Sequence, residues 1–191
     1  MSSSQSESIK PRQALVKRSA AHAGKTPSTK ALSAIPYAKP SRMAFKLGRK
    51  PDYVSYFKAN PLDRVTFVKE GVPADEAKDF LSHLSVSSSR LYDALDLKAS
   101  TFNRKAQKKD ILSIDEAERI MGLVKLFGQV ETMVQESGDP EGFDVTDWTM
   151  QWLGEPLAAF GGRKPMELMD TMEGQTLVSE ALARIQTGAY A

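Results

Sequence analysis

The stretch SSSRLYDALDLKASTFNRKAQKK, residues 87–109, decides how the chain is to be read. Its three serines offer N-cap oxygens to a helix over "RLYDALDL", and after a brief turn Ser100 offers one to a second helix, "TFNRKAQKK". Setting the turn at Asp96 places Leu91, Leu95, Leu97 and Phe102 at the spacing that packs two short helices against each other. Asp96 stands where such turns often carry glycine, and aspartate tolerates the left-handed backbone. The pattern is that of a helix-turn-helix with one face of its second helix free. On that face Ser100, Thr101, Asn103, Arg104, Lys105, Lys108 and Lys109 offer hydroxyls and an amide for base edges and a run of cations for phosphates. The alternative is a charged face that is merely solvated. The position of the face, where a reading helix lies, favours operator DNA as the partner.

Working outward towards the N-terminus, "PADEAKDFLSHL" reads as a preceding helix with Pro73 in its first turn and acids next. Before Gly71, "RVTFV" reads as a short apolar segment, and order is expected to begin near Tyr53. Towards the C-terminus, "SIDEAERIMGLVKLFGQVETMV" is the strongest helix signal in the chain. Ser113 and Glu116 have capping-box spacing, and Ala117, Ile120, Val124 and Phe127 recur at helical period. Leu123, Leu126, Val130 and Val134 widen the apolar arc, which must bury more than one face, either within the fold or against a second copy. In the second case Leu123, Leu126, Phe127 and Val130 form a dimerisation surface and the chain is a homodimer.

"QESGDPEG" breaks that helix with Gly138, Pro140 and Gly142 and reads as a domain joint. Beyond it Asp144 can cap a helix holding Trp148, Trp152 and Leu153, which ends at Gly154 and Pro156. Gly161 and Gly162 imply a sharp turn, and Pro165 opens a helix "MELMDTM". Gly174 is expected to break it, leaving a last helix from about Gln175 to Thr187 with Leu177, Val178, Ala181, Leu182 and Ile185 inward and Gly188 closing it. No region is rich in strand signals. The expected fold class is all-α: a basic extension over 1–52, a helix-turn-helix and dimerisation domain over 53–137, and a small helical domain over 143–191.

Composition narrows the function classes. Hydrophobic residues make up 41% and charged residues 26% of 191, ordinary for a globular protein, and the absence of cysteine removes disulfides and thiolate metal sites. No apolar run approaches the roughly 18 residues of a membrane span, and the N-terminus lacks the apolar core of a secretory signal, so a cytoplasmic protein is expected. The net charge of +2 conceals a polarity: residues 1–50 carry eleven Lys or Arg against Glu7 alone, and residues 141–191 carry eight acids against Arg163, Lys164 and Arg184. The two ends suit different partners. With five prolines by position 51 and no periodicity, the basic extension reads as disordered, either a solvated tail or an arm for added phosphate contacts. His22 and His83 are the only histidines, and neither a thiol nucleophile, zinc spacing, P-loop nor dinucleotide fingerprint occurs. An enzyme is not expected, nor a metal or cofactor.

Taken together, "LYDALDLKASTFNRKAQKKDILSIDEAERI" and "WLGEPLAAFGGRKPMELMDTMEGQTLVSEALARIQTGAYA" resemble the Xre/MbcA/ParS-type antitoxins of bacterial toxin–antitoxin modules. The resemblance covers about 64–191 and leaves the basic extension outside it. It implies that the C-terminal domain binds a RES-domain toxin that consumes NAD or, in some members, transfers ADP-ribose. It further implies that the glycine-proline turn forms a platform on the toxin and that the short tail reaches the mouth of the toxin's active site. Arg163, Lys164, Arg184, Gly188, Ala189, Tyr190 and Ala191 are the toxin-binding residues expected on this view. Tyr190 would supply apolar area and a hydroxyl there, and the Ala191 carboxylate could pair with arginines that the toxin keeps for phosphates. Trp152 and Met166 are open to a core role or a contact role, with core packing favoured for Trp152. The contrasting expectation is a stand-alone helix-turn-helix regulator with no toxin partner.

Overall fold

Residues 43–138 and 141–186 are described by a computed structural model, all within the unit Ala38–Ala191. They form eight α-helices and no strand: α1 Tyr53–Lys58, α2 Pro61–Glu70, α3 Ala74–Ser82, α4 Ser88–Ala94, α5 Ala99–Lys108, α6 Ile114–Ser137, α7 Val145–Leu153 and α8 Met172–Gln186, with 3-10 turns at Ala158–Phe160 and Pro165–Leu168. The all-α expectation holds. Two of the local signals act as caps, whereas Ser87 at the N-cap of α4 makes no side-chain cap hydrogen bond. Ser113 and Glu116 close a full capping box at the start of α6, and Asp144 accepts the Asp147 amide at 2.9 Å to start α7. "RVTFV" lies inside α2, a departure from the short apolar segment expected; Asn60 caps that helix at the Leu62 amide and Pro61 sits in its first turn. Ser100 is not the cap of α5, which begins two residues earlier than expected, at Ala99, with Lys98 at the N-cap.

At the centre lies α6, with α1 and α2 on one side and α7 and α8 on others. Leu123, Leu126, Phe127 and Val130 are at most 2% exposed, buried in the chain's own core. In the single chain they therefore form core rather than the exposed face expected of a dimerisation surface. The wide arc is filled from within because four helices surround it. Tyr53, Phe80 and Phe127 meet edge to face at 5.2–6.3 Å and join α1, α3 and α6. The backbone of α1 approaches α6 so closely at Gly128 that a Cβ there would overlap the Tyr53 carbonyl oxygen.

Order begins earlier than Tyr53. Leu47 is fully buried, and Phe45 packs on Tyr56 and Phe67 at 4.8 and 5.3 Å. The segment 43–50 is thus anchored by apolar contacts; residues 1–42 of the basic extension lie outside the described residues.

The helix α6 ends at its C-cap Gly138, and the described helices on either side of that end share one core. Gln129 donates to the Ser179 carbonyl at 2.8 Å and accepts from the Ser179 hydroxyl at 2.6 Å, and Gln175 donates to the carbonyls of Arg119 and Met169. These amides tie α8 to α6, and one apolar cluster runs through both halves. Gly174 is not a breaker. It lies in the first turn of α8, where its Cα passes so near the Leu168 carbonyl that no side chain fits, and Thr171 caps the helix by accepting the Gly174 amide at 3.1 Å. Pro165 opens only a single 3-10 turn.

Candidate DNA and partner surfaces

The turn between α4 and α5 places the first surface. Asp96 adopts φ 45°, left-handed as the sequence suggests, and Arg119 of α6 donates to its carboxylate at 2.8 Å and its carbonyl at 3.2 Å. Arg119 thereby fixes the turn to the body of the protein, a role that sequence spacing conceals. Phe102 and Ala106 turn α5 inward, and Phe102 meets Tyr92 of α4 at 5.2 Å. Ser100, Arg104 and Lys108 then form an exposed stripe at successive i, i+4 positions. Thr101 and Asn103 flank it half-buried, and the Asn103 amide donates to the Ala99 carbonyl at 2.8 Å. Lys109 is exposed at the left-handed C-cap. Lys98, exposed at the N-cap, borders the same face and was not singled out from the sequence.

Lys105 stands apart from this stripe. Its ammonium binds the Glu116 carboxylate at 2.5 Å, with both side chains largely buried. Burial opposes charge on Glu116, but the Lys105 hydrogen bond and the Ser113 amide and hydroxyl outweigh it and hold the carboxyl below its usual range. A lowered carboxyl pKa contributes stability above about pH 4.5 that is lost as pH falls through the native value. Glu116→Gln keeps a capping oxygen but loses the ion pair. Urea unfolding is expected to show it about 1–2 kcal/mol less stable than wild type at pH 7, with the gap closing towards pH 3.

The second surface lies in the C-terminal part. Gly161 and Gly162, at φ 65° and 82°, fold the loop back so that the Leu157 amide donates to the Arg163 carbonyl at 3.0 Å. Arg163 and Lys164 project exposed from this loop, and Lys164 borders a shallow cleft shared with Arg90 and Asp93 of α4. Trp152 is buried and stacks with Trp148 at 6.3 Å, and Met166 is half-buried, so both pack within the fold. The last helix departs from expectation. Val178, Ala181 and Leu182 face inward, but Leu177 is 43% and Ile185 39% exposed. These two share one side of α8 with Glu180 and Arg184, which pair at 4.0 Å. Gly188, Ala189, Tyr190 and Ala191 lie outside the described residues.

The described residues thus form a helix-turn-helix with an exposed basic stripe, joined through one long helix to a small helical part with an apolar, charge-flanked outer face. Residues 63–125 match the antitoxin Xre-like helix-turn-helix domain, and residues 125–188 match the antitoxin Xre/MbcA/ParS C-terminal toxin-binding domain. The chain is 48% identical over 139 residues to the Prs ADP-ribosylating antitoxin of Sphingobium sp., covering 73% of this chain and 87% of that protein. It is 26% identical over 88 residues to antitoxin Xre of Pseudomonas putida, covering 46% and 50%. The chain belongs to the Xre/MbcA/ParS antitoxin family and is an antitoxin of a toxin–antitoxin module. The two matched regions meet at residue 125, inside α6, in keeping with a core that both halves share. Among the described residues no helix is long and apolar enough to cross a membrane, and no cluster of side chains could hold a metal ion.

Proposed function

We propose that the chain acts in the cytoplasm, neutralises a RES-domain toxin by covering its active site with the C-terminal part, and represses its own promoter as a homodimer through α5. The observation that carries the toxin reading is the outer face of α8. Leu177 and Ile185 stand in water beside Arg184 within the region matched to the family's toxin-binding domain. An exposed apolar pair flanked by charge is the composition of an interface centre. Arg163 and Lys164 extend that surface to the glycine turn. The relative's name, which couples an antitoxin to ADP-ribosylation of Prs, supports a partner that transfers ADP-ribose rather than only consuming NAD.

The tail completes the reading. Removing Ala189, Tyr190 and Ala191 is expected to restore toxicity in a co-expression growth assay more than it weakens the complex, since the body of the C-terminal part retains most of the contact area. Full neutralisation by the truncated chain would move inhibition to the surface of Leu177, Arg163 and Lys164.

For DNA, the exposed stripe of Ser100, Arg104 and Lys108, with Thr101 and Asn103 beside it, is the reading face, and Lys109 reaches phosphates. Lys105 supports the helix from below through Glu116. Arg104→Ala is expected to cost about 1–3 kcal/mol on the operator and to relax discrimination, while Lys108→Ala weakens all sequences alike and lowers the salt slope by about one. A gel-shift titration over several salt concentrations separates the two; unchanged operator binding by Arg104→Ala would remove α5 from the groove.

A further inference from the structure

Charge divides this chain into two parts of opposite sign. Residues 1–50 carry eleven Lys or Arg and one acid, whereas residues 51–191 carry fifteen Lys or Arg and 23 acids, so a segment of net charge +10 is joined to a body of −8. Five of the body's cations belong to α5 and its caps, and one of these, Lys105, is taken up by Glu116. Asp93, Asp96 and Asp110 stand exposed close to the ends of the same helix. Lys98, Arg104, Lys108 and Lys109 are thus a small basic patch on a body whose summed field repels a polyanion. Affinity for duplex DNA regardless of sequence grows with the number of phosphates that Lys and Arg neutralise. The body alone is poorly equipped for it.

The basic segment has a fixed root on the body. Phe45 lies on Tyr56 of α1 and Phe67 of α2, and Leu47 is fully buried, whereas Lys46, Arg49 and Lys50 are exposed. Arg49 and Lys50 border a cleft with Phe80 and His83 of α3, and α3 packs directly on α5. One helix therefore separates the root from the reading helix. Two apolar side chains do the anchoring, so it consumes none of the segment's charge. The three exposed cations at the root continue the composition of residues 1–42, where eight Lys and Arg stand against Glu7 alone.

We propose that residues 1–50 are a second DNA-contacting element, rooted by Phe45 and Leu47, whose cations take the phosphates of duplex beside the operator and supply most of the chain's sequence-independent affinity. The inference rests on DNA as the partner and not on α5 as the reading helix. Contacts of this kind release counterions whatever the sequence, so the contribution depends steeply on salt and adds nothing to discrimination.

Fluorescence anisotropy of two labelled duplexes, one carrying the operator and one of random sequence, tests it over a range of salt. A chain beginning at Met43 keeps Phe45, Leu47 and every described residue, and circular dichroism checks its fold. With half of the eight missing cations each neutralising a phosphate, the salt slope is expected to fall by about four and affinity for both duplexes on the order of a hundredfold, at an unchanged ratio between the two. The full chain with those eight residues changed to Gln is expected to behave in the same way, and both variants to neutralise toxin as wild type does. Arg104→Ala is expected to do the opposite, lowering the ratio and keeping most of the slope. An unchanged slope and random-duplex affinity in the shortened chain, or a Gln-substituted chain that binds like wild type, would overturn the proposal. Tighter DNA binding after shortening would overturn it too, by showing that the segment instead covers the acids of the body, as would a loss of toxin neutralisation in place of DNA affinity. An Arg104→Ala variant with an unchanged ratio would remove α5 from the groove and leave the role of residues 1–50 standing.

Discussion

Glutamate placed at both Leu177 and Ile185 is expected to abolish toxin neutralisation while leaving the fold intact. Each position is more than a third exposed, so neither substitution buries a charge in the isolated chain, and the inward residues Val178, Ala181 and Leu182 keep their packing. On a toxin surface the same two carboxylates would be desolvated without partners. Unpaired charges at an interface centre cost several kcal/mol, and an apolar anchor there contributes on the order of 2 kcal/mol. Together the losses correspond to at least about a hundredfold weaker binding. Titration calorimetry against the purified toxin measures it, and circular dichroism of the variant checks the fold. Binding equal to wild type would place the toxin on another face and leave Leu177 and Ile185 as exposed apolar residues without a role.

The largest expected effect on stability comes from a single methyl group. Gly128→Ala should favour a helix by about 1 kcal/mol on intrinsic propensity. Here the added Cβ would overlap the Tyr53 carbonyl oxygen and press on the Phe57 Cβ, and backbone cannot swing aside as a side chain can. Overpacking of this kind costs about 1–3 kcal/mol, and separating α1 from α6 would also loosen the Tyr53, Phe80 and Phe127 cluster. Thermal unfolding is expected to fall by on the order of 5–10 °C. Gly48→Ala, where nothing lies within 4 Å of the added group, is the control and should change the midpoint little. A midpoint for Gly128→Ala at or above that of wild type would mean that α1 does not lie on α6 as described.

These two predictions lie at opposite ends of what the sequence makes legible. Short-range chemistry could be read directly: Ser113 with Glu116, Asp144, and the left-handed Asp96 act through neighbours a few residues away, and each takes its expected conformation. Gly174 and Gly128 could not be read in this way. A glycine in a helix looks the same in sequence whether it interrupts the helix or admits another backbone, and only carbonyls outside its own helix, those of Leu168 and Tyr53, decide it. The same limit applies to apolar periodicity. Leu177 and Val178 are adjacent and equally apolar, yet one is open to solvent and the other buried, because α6 covers only one side of α8. The arc on α6 was legible as wide, and whether its own chain or another filled it depended on four helices arriving from both directions along the sequence. Lys105 was legible as a cation beside a reading face; its pairing with Glu116, eleven residues away, is set by how α5 rests against the start of α6.

The central claim, that this chain silences a toxin by covering its active site, is tested most directly by NAD turnover. Purified toxin is titrated with the full chain and, in parallel, with the Leu177→Glu, Ile185→Glu variant, with complex formation followed by size-exclusion chromatography. The expected result is turnover that falls to background at a fixed molar ratio with the wild-type chain and persists undiminished with the variant. A toxin that continues to turn over NAD while fully bound to the wild-type chain would contradict the account.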